Sequence, residues 1–257
     1  MELIDALPVE DTATCIIVPS NRLDTSKVRI LSDAARARRI PISIHERGHP
    51  LSEDLTLAET GLSWMYSQII SPADLNRYPQ GILNMHGGTI PEYRGASVLH
   101  WAIINGEQRL GITWHEMVKA VDAGPVWAES TIPIPTKASA SDIRIDMIAE
   151  GIRLFPNAWE RFRNPDAIPR YPNLADGRAW PQRRPSDGLI EPGWPSERVY
   201  NIVRALCPPW PPAFMDTDQG KVNIGSVLAE PRPGVIPYLT ADGIMVYLLP
   251  ALLGLES

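Results

Sequence analysis

The chain has 257 residues, of which 44% are hydrophobic and 21% charged, a balance that indicates a folded globular protein and excludes an intrinsically disordered one. Its formal net charge of −6 provides no overall attraction to nucleic-acid phosphates, so we expect no nucleic-acid partner. Cys15 and Cys207 are the only cysteines, which excludes a disulfide-stapled fold and predicts a reducing, cytoplasmic location.

Neither end of the chain carries a pattern typical of membrane insertion. Residues 1–12 are acidic and lack the basic and apolar regions of a signal peptide. Residues 243–257 are apolar but short and interrupted by Pro250, whereas a membrane-spanning helix needs about 20 residues. We therefore expect no membrane partner and interpret the tail as a strand with core or interface packing, which leaves a homodimer open.

Short apolar runs alternate with amphipathic segments in the first half of the chain. The pattern predicts helices at 25–39 and 97–105 and strands at 14–19, 40–44, 62–66, 81–86, 111–117 and 126–133. Strands that alternate with helices are typical of a Rossmann-like α/β fold with a mostly parallel sheet. In such sheets ligands bind beyond the carboxyl ends of the strands.

The second half of the chain changes character at a proline-rich stretch. Residues 139–162 have the spacing of a helix, which we expect Pro156 to kink or interrupt. Prolines then punctuate residues 164–192, so we predict a catalytic domain over residues 1–180 and a small domain over residues 187–257. The small domain is predicted to be a mixed or β-barrel-like appendage, with a helix at 196–206 and strands at 222–228, 235–239 and 244–248.

The strand at residues 81–86 carries the residues that point most directly to chemistry. Because side chains alternate along a strand, Ile82, Asn84 and His86 share one face. Gly87 and Gly88 then allow the backbone to turn sharply where these polar groups emerge. Taken singly, Asn84 could be a turn former and His86 a satisfied, partially buried histidine, so the Asn-x-His spacing gains weight only with the wider pattern around it.

A longer pattern around this strand resembles a known family, the N10-formyltetrahydrofolate-dependent formyltransferases. That family shares an Asn-x-His followed by a Pro-x-Tyr-Arg-Gly turn, and here the pattern comprises Asn84, His86, Pro91, Tyr93, Arg94 and Gly95. A second family signature, an Asp-x-Gly loop after a strand, resembles residues 122–124. The resemblance therefore implies that Asp122 is the third catalytic residue, although alone it would be a turn residue before Gly124. Order and spacing match over about residues 10–165.

The resemblance also implies which ligands the chain binds. It implies N10-formyltetrahydrofolate as formyl donor, no metal, and a primary amine as acceptor. Residues 186–214 are similar to the carboxyl-terminal segment of the sugar and methionyl-tRNA enzymes of that family. Because the chain is short and acidic, a nucleotide-linked amino sugar is favoured over a tRNA as the acceptor. Hydrolysis of formyltetrahydrofolate by the same residues, or binding without catalysis, stays open.

The ligand contacts are carried over from the family residue by residue. Residues expected to contact the folate are Tyr66, Ser67, Gln68, Ile69, Ile70, Val121 and Ala123. Tyr93 and Arg94 are expected to contact the acceptor or to anchor their loop. Without the family, residues 66–70 are a strand end and its turn.

The chemistry of formyl transfer suits the three proposed catalytic residues. An amine attacks a carbonyl, so negative charge develops on the formyl oxygen and the amine loses a proton. The Asn84 amide is a suitable donor to that oxygen. His86 can donate to the same oxygen if protonated, or accept the amine proton if neutral. Asp122 would orient or charge-stabilise the imidazole.

Two further histidine patterns have less functional weight. Residues 45–49 spell H-E-x-x-H, which binds zinc only when a helix places both histidines on one face. Here a β-branched run precedes the motif, and Gly48 and Pro50 disfavour a helix, so we interpret it as a solvated loop. His115 is interpreted as a strand residue that supports the site without reacting.

The chain departs from the family pattern at two places. Residues 1–7 have the character of the end of the first helix, which predicts either a sheet that lacks the family's first strand or a true start upstream of Met1. The usual His-Pro-Ser is His86-Gly87-Gly88, which removes a hydroxyl and is expected to loosen the turn.

Overall fold

The computed structural model of the chain describes residues 2–22, 26–53 and 58–251. A short helix, α1 (Glu2–Asp5), precedes the first strand, β1 (Ile16–Pro19), and helix α2 (Ser26–Ala37) leads to β2 (Ile42–His45). The strands β1 and β2 pair in parallel, with Ile16 opposite Ile42. Parallel pairing requires a crossover connection, and α2 supplies it.

A four-stranded sheet carries the strand that the sequence singled out. Its order is β3 (Gly61–Trp64), β4 (Ile82–His86), β6 (Arg109–Glu116) and β7 (Val126–Pro133). The pair β3–β4 is parallel, whereas β4 and β6 are antiparallel. Hydrogen bonds from Glu116 to Pro125 and from Ile134 to Gln108 at its two ends make β6–β7 an antiparallel hairpin. The predicted α/β fold is confirmed, and its parallel strand pairs are β1–β2 and β3–β4.

One long helix covers this sheet with aromatic side chains. Helix α5 (Ala140–Arg163) places Phe155 and Trp159 in contact, and Phe155 lies 5.2 Å from the Trp114 ring of β6. Trp114 also donates a hydrogen bond to the Gly151 carbonyl. Of the two expected effects of Pro156, the interruption is wrong, because the helix runs through this residue, and the kink stays a prediction. Tertiary packing of the buried neighbours outweighs the one backbone hydrogen bond that proline removes.

The carboxyl-terminal part of the chain forms an antiparallel sheet with one helix. The sheet order is β11 (Ile236–Leu239), β12 (Met245–Pro250), β10 (Gly220–Leu228) and β9 (Ala213–Thr217). Helix α6 (Ser196–Ala205) packs against β10 and against α4 (Val98–Ile104). The predicted mixed appendage is confirmed, with β9 as an additional strand. The remaining short elements are α3 (Pro72–Leu75), β5 (Tyr93–Gly95) and β8 (Arg178–Trp180).

Internal contacts divide the chain into two compact units. One unit comprises Met1–Arg94, Ile112–Ser130 and Ala149–Arg178, and the other comprises Gly95–Gly111, Thr131–Ile148 and Ala179–Ser257. The strand residues Asn84 and His86 and the loop residue Asp122 all belong to the first unit. The division into domains at residues 180–187 stays a prediction.

Candidate active site

The register between β4 and β6 determines which side chains surround the predicted site. Asn84 lies directly opposite His115, and His86 lies opposite Thr113. Directly opposed residues of an antiparallel pair project from the same face of the sheet. The register therefore adds His115, which is 1% exposed, to the face that carries Asn84 and His86.

A hydrogen bond between Asn84 and His115 fixes the orientation of both side chains. His115 Nδ1 lies 2.9 Å from the Glu116 carbonyl, which can only accept, so Nδ1 carries a hydrogen. In the neutral ring Nε2 then accepts, and it lies 3.0 Å from Asn84 Nδ2. One N–H of Asn84 is thus used by His115, and the amide nitrogen carries a second N–H.

The position of His86 is fixed through its other ring nitrogen. His86 Nε2 donates to the Tyr93 carbonyl at 2.5 Å, so in the neutral ring Nδ1 carries the lone pair. The turn that brings Tyr93 back depends on Gly88. A Cβ at residue 88 would lie 2.3 Å from the Tyr93 carbonyl oxygen and 2.7 Å from His86 Nε2. Any side chain there would displace this hydrogen bond.

Asp122 reaches the two histidines from the loop between β6 and β7. Its backbone has a φ of +46°, a left-handed conformation that aspartate tolerates better than most residues. Gly124 allows the loop to close, because a Cβ there would lie 2.0 Å from the Glu116 carbonyl oxygen. The Asp-x-Gly spacing therefore has a local structural reason.

The Asp122 carboxylate lies between the two imidazoles. Its Oδ2 is 3.4 Å from His86 Nδ1, and its Oδ1 is 3.4 Å from His115 Nε2. The structure thus brings Asn84, His86 and Asp122 together with His115. Sequence reasoning placed His115 only near the site, since the register that pairs it with Asn84 is a tertiary property.

Burial controls the charge of His86. Desolvation lowers the pKa of His86, with the nearby His115 acting in the same direction, while the Asp122 carboxylate and the bond to Tyr93 oppose it. His86 is only 7% exposed, so the effect of desolvation on its pKa is larger than the opposing effects of Asp122 and Tyr93. The imidazole is therefore neutral near pH 7. A neutral His86 with its Nδ1 lone pair beside a carboxylate can accept one proton. The resulting imidazolium would be hydrogen-bonded at both nitrogens.

The residues expected to contact the folate follow β3 and flank Asp122. Trp64, the last residue of β3, pairs with Met85, so residues 66–70 emerge at the sheet edge that carries His86. The side chains of Ile69 and Val121 are 85% and 52% exposed. Exposed apolar side chains beside a polar site are suited to cover a ring-containing ligand. Their contacts with a ligand stay predictions.

The two residues expected to contact the acceptor are tied to the same loops. Tyr93 contributes its carbonyl to His86, which favours a role as a loop anchor. Arg94 Nη1 lies 3.5 Å from the Val121 carbonyl, beside the Asp122 loop. Arg94 Nε is buried and has no hydrogen-bond partner within residues 2–22, 26–53 and 58–251. A contact of this guanidinium with the acceptor stays a prediction.

The H-E-x-x-H motif does not lie on a helix. The interpretation as a solvated loop is wrong for His45, which ends β2 and is buried, whereas residues 46–49 are exposed and lie outside the strand. Within the described ranges, no group of three or more His, Cys, Asp or Glu side chains is arranged to hold a metal ion. In the same ranges no helix has the length and apolar character needed to cross a bilayer.

Comparison with known proteins connects this geometry to a family. Residues 54–158 match the family model described as Formyl transferase. This confirms the resemblance inferred from the sequence, over somewhat less than half of the chain, in a region that includes Asn84, His86, His115 and Asp122.

Solved structures with similar folds extend the likeness over most of the chain. HypX from Aquifex aeolicus, crystallised with tetrahydrofolic acid, is 23% identical over 92% of this chain, with a TM-score of 0.65. This chain spans 44% of that HypX chain. WlaRD, a sugar 3N-formyltransferase solved with dTDP and 5-N-formyltetrahydrofolate, is 15% identical over 95% of this chain and 88% of its own, with a TM-score of 0.65.

A third structure is the N-formyltransferase from Helicobacter canadensis, in complex with folinic acid and dTDP-3-aminofucose. It is 14% identical, covers 93% of this chain and 100% of its own, and has a TM-score of 0.63. At these identities the three structures show that the chain has the formyltransferase fold.

Proposed function

We propose that the protein transfers a formyl group from N10-formyltetrahydrofolate to a primary amine of a nucleotide-linked sugar. The observation that carries this proposal is the meeting of Asn84, His86 and Asp122 at the end of β4, with the carboxylate 3.4 Å from the His86 ring. These groups supply a hydrogen-bond donor, a base and a charge that stabilises the protonated base. Formyl transfer to an amine needs all three.

Asn84 is proposed to stabilise the charge that develops on the formyl oxygen. One of its N–H groups is held by His115, so the amide is oriented before the substrates bind. Preorganised donors of this kind contribute about a hundredfold or more to acyl transfer, because they need no reorganisation during the reaction. His115 acts here as a positioning residue for Asn84.

His86 is proposed to accept the proton that the attacking amine loses. The amine nitrogen forms a bond to the formyl carbon, the bond from that carbon to N10 breaks, and N10 gains a proton. His86 receives the amine proton at Nδ1, and Asp122 stabilises the imidazolium until the proton is passed on. Because His86 Nε2 is hydrogen-bonded to the Tyr93 carbonyl, Nδ1 is the nitrogen that accepts and then releases the proton.

The choice of donor and acceptor draws on the fold and on the sequence. WlaRD and the Helicobacter enzyme share this fold over nearly their whole length, and their structures hold folate derivatives with dTDP or a dTDP-linked amino sugar. The present chain also has an exposed apolar side chain at Val121, next to Asp122, and another at Ile69, in the loop that follows β3. These features support a reduced folate and an amino sugar as the two substrates.

The function can be tested with the purified protein and N10-formyltetrahydrofolate. A panel of dTDP- and UDP-linked amino sugars is supplied as acceptors, and mass spectrometry follows the addition of one carbonyl. We expect a formylated sugar and one tetrahydrofolate per product. Release of formate without an acceptor would instead indicate hydrolysis. If no formyl group leaves the folate with any acceptor, the proposal is wrong.

The pH dependence of the reaction follows from the environment of His86. A base must be neutral to act, and burial lowers the pKa of His86 below its ordinary value of about 6.5. Activity is therefore retained below pH 6.5 and is lost only as the pH falls through the lowered pKa. We expect the acidic limb of kcat/KM to lie below pH 6.5. A limb well above that value would contradict this assignment of the base.

A further inference from the structure

The first histidine of the H-E-x-x-H motif makes contacts that its sequence pattern does not suggest. His45 is 2% exposed and ends β2, next to the loop that follows β3. Its Nε2 lies 2.8 Å from the His49 carbonyl, and its Nδ1 lies 2.5 Å from the Tyr66 hydroxyl. Both ring nitrogens are thus used within the chain, which leaves neither for a metal ion.

The His49 carbonyl determines which group donates in each of the two hydrogen bonds of the His45 ring. The His49 carbonyl can only accept, so His45 Nε2 carries the hydrogen and Nδ1 accepts from the Tyr66 hydroxyl. Burial raises the pKa of Tyr66, so its hydroxyl keeps its hydrogen over the working range of pH. The two rings are nearly parallel, at an interplanar angle of 9°. His45 therefore anchors Tyr66 in one orientation.

The backbone of His45 holds a second residue of the same loop. Gln68 Nε2 donates to the His45 carbonyl at 3.2 Å, and Ser67 Oγ donates to Asn21 Oδ1 at 3.1 Å. These bonds fasten the loop to residues at the carboxyl ends of β2 and β1. Gln68 Oε1 is buried and has no hydrogen-bond partner in the described part of the chain. An amide oxygen without a donor is suited to accept from an N–H group, such as those on the aminopyrimidine edge of a reduced pteridine.

We propose that His45 is a positioning residue for the formyl-donor site, which it shapes by holding Tyr66 and Gln68 in the loop at residues 65–70. This inference rests on the proposed function. His45 reaches the donor only through the loop and does not touch the reacting atoms. Its loss is therefore expected to weaken binding of the donor while the chemical step at His86 and Asp122 is preserved.

Three substitutions separate the two ring contacts of His45. In His45→Asn the amide oxygen can stand near the place of Nδ1 and accept from Tyr66. In His45→Gln the amide nitrogen can stand near the place of Nε2 and donate to His49, while the acceptor for Tyr66 is lost. His45→Leu removes both. His49→Ala is the matched control from the same motif, because His49 contributes only its carbonyl.

Affinity for 5-formyltetrahydrofolate, measured by calorimetry, gives a readout that is independent of turnover. We expect the Kd, and the KM for N10-formyltetrahydrofolate, to rise about tenfold in His45→Leu and in His45→Gln, because each variant loses the hydrogen bond to Tyr66. In His45→Asn the rise is expected to stay within about twofold, and kcat is unchanged in all three. His49→Ala is expected to behave as the wild type.

A double-mutant cycle tests whether Tyr66 transmits the effect. Tyr66→Phe is expected to raise the Kd about as much as His45→Leu, and the double variant no more than either one. The positioning role would be overturned if His45→Leu bound the folate as tightly as His49→Ala. It would also be overturned if the losses in the double variant were additive. Neither result would affect the proposed function. A wild-type protein that binds no folate and transfers no formyl group would overturn the proposed function, and this inference with it.

Discussion

Replacing His86 by Ala is expected to lower kcat for formyl transfer by at least about a hundredfold, since general-base catalysis contributes a factor of about 100 to 10,000. The variant removes the imidazole whose Nδ1 lies 3.4 Å from the Asp122 carboxylate, so no base remains at this position. Steady-state rates at saturating donor and acceptor measure the effect.

The control for this variant is His49→Ala, which removes an exposed imidazole from the same unit. Thermal unfolding of both variants shows whether the fold is retained. We expect 5-formyltetrahydrofolate to bind His86→Ala with nearly unchanged affinity, because His86 is assigned to proton transfer. Wild-type rates in a folded His86→Ala protein would remove the proposed mechanism.

Replacing Asn84 by Ala is expected to lower kcat by about a hundredfold to a thousandfold, as found when one donor to a developing oxyanion is removed. The KM for the donor is expected to change little, since the interaction is strongest when charge has developed on the formyl oxygen. A loss confined to KM would instead assign Asn84 to ground-state binding.

His115 provides a graded test of the same donor. His115→Leu keeps Asn84 but removes the acceptor that orients it, so we expect a loss in kcat of about tenfold. His115→Gln can place an amide oxygen near Nε2 and is expected to recover most of this loss. If His115→Gln were as slow as His115→Leu while both stayed folded, orientation of Asn84 would not be the role of His115.

The position of Asn84 and His86 on one face of the same strand could be predicted from the sequence alone. Alternation along a short apolar strand places both on one face, and the glycines after them end the strand. Asp122 was identified through its resemblance to a family loop. The structure explains why the loop has this sequence. Asp122 has a positive φ, and a Cβ at residue 124 would collide with the Glu116 carbonyl.

The second glycine after His86 has a role that the sequence pattern did not reveal. We expected Gly87 and Gly88 to loosen the turn relative to the family's His-Pro-Ser. Gly88 also leaves the space in which the Tyr93 carbonyl reaches His86 Nε2. This contact selects the ring nitrogen that faces Asp122, so the departure from the family pattern is part of how the histidine is oriented.

Local periodicity therefore determined the α/β elements and the polar strand end, whereas the kind of reaction was indicated by the resemblance to a known family. Tertiary structure alone decided that β6 pairs antiparallel with β4, which sets His115 against Asn84, and that α5 continues through Pro156. Strand register, tautomer choice and the contacts of His45 depend on partners distant along the chain. Such contacts form only when the backbone folds, because no local propensity encodes which distant hydrogen-bonding groups will meet.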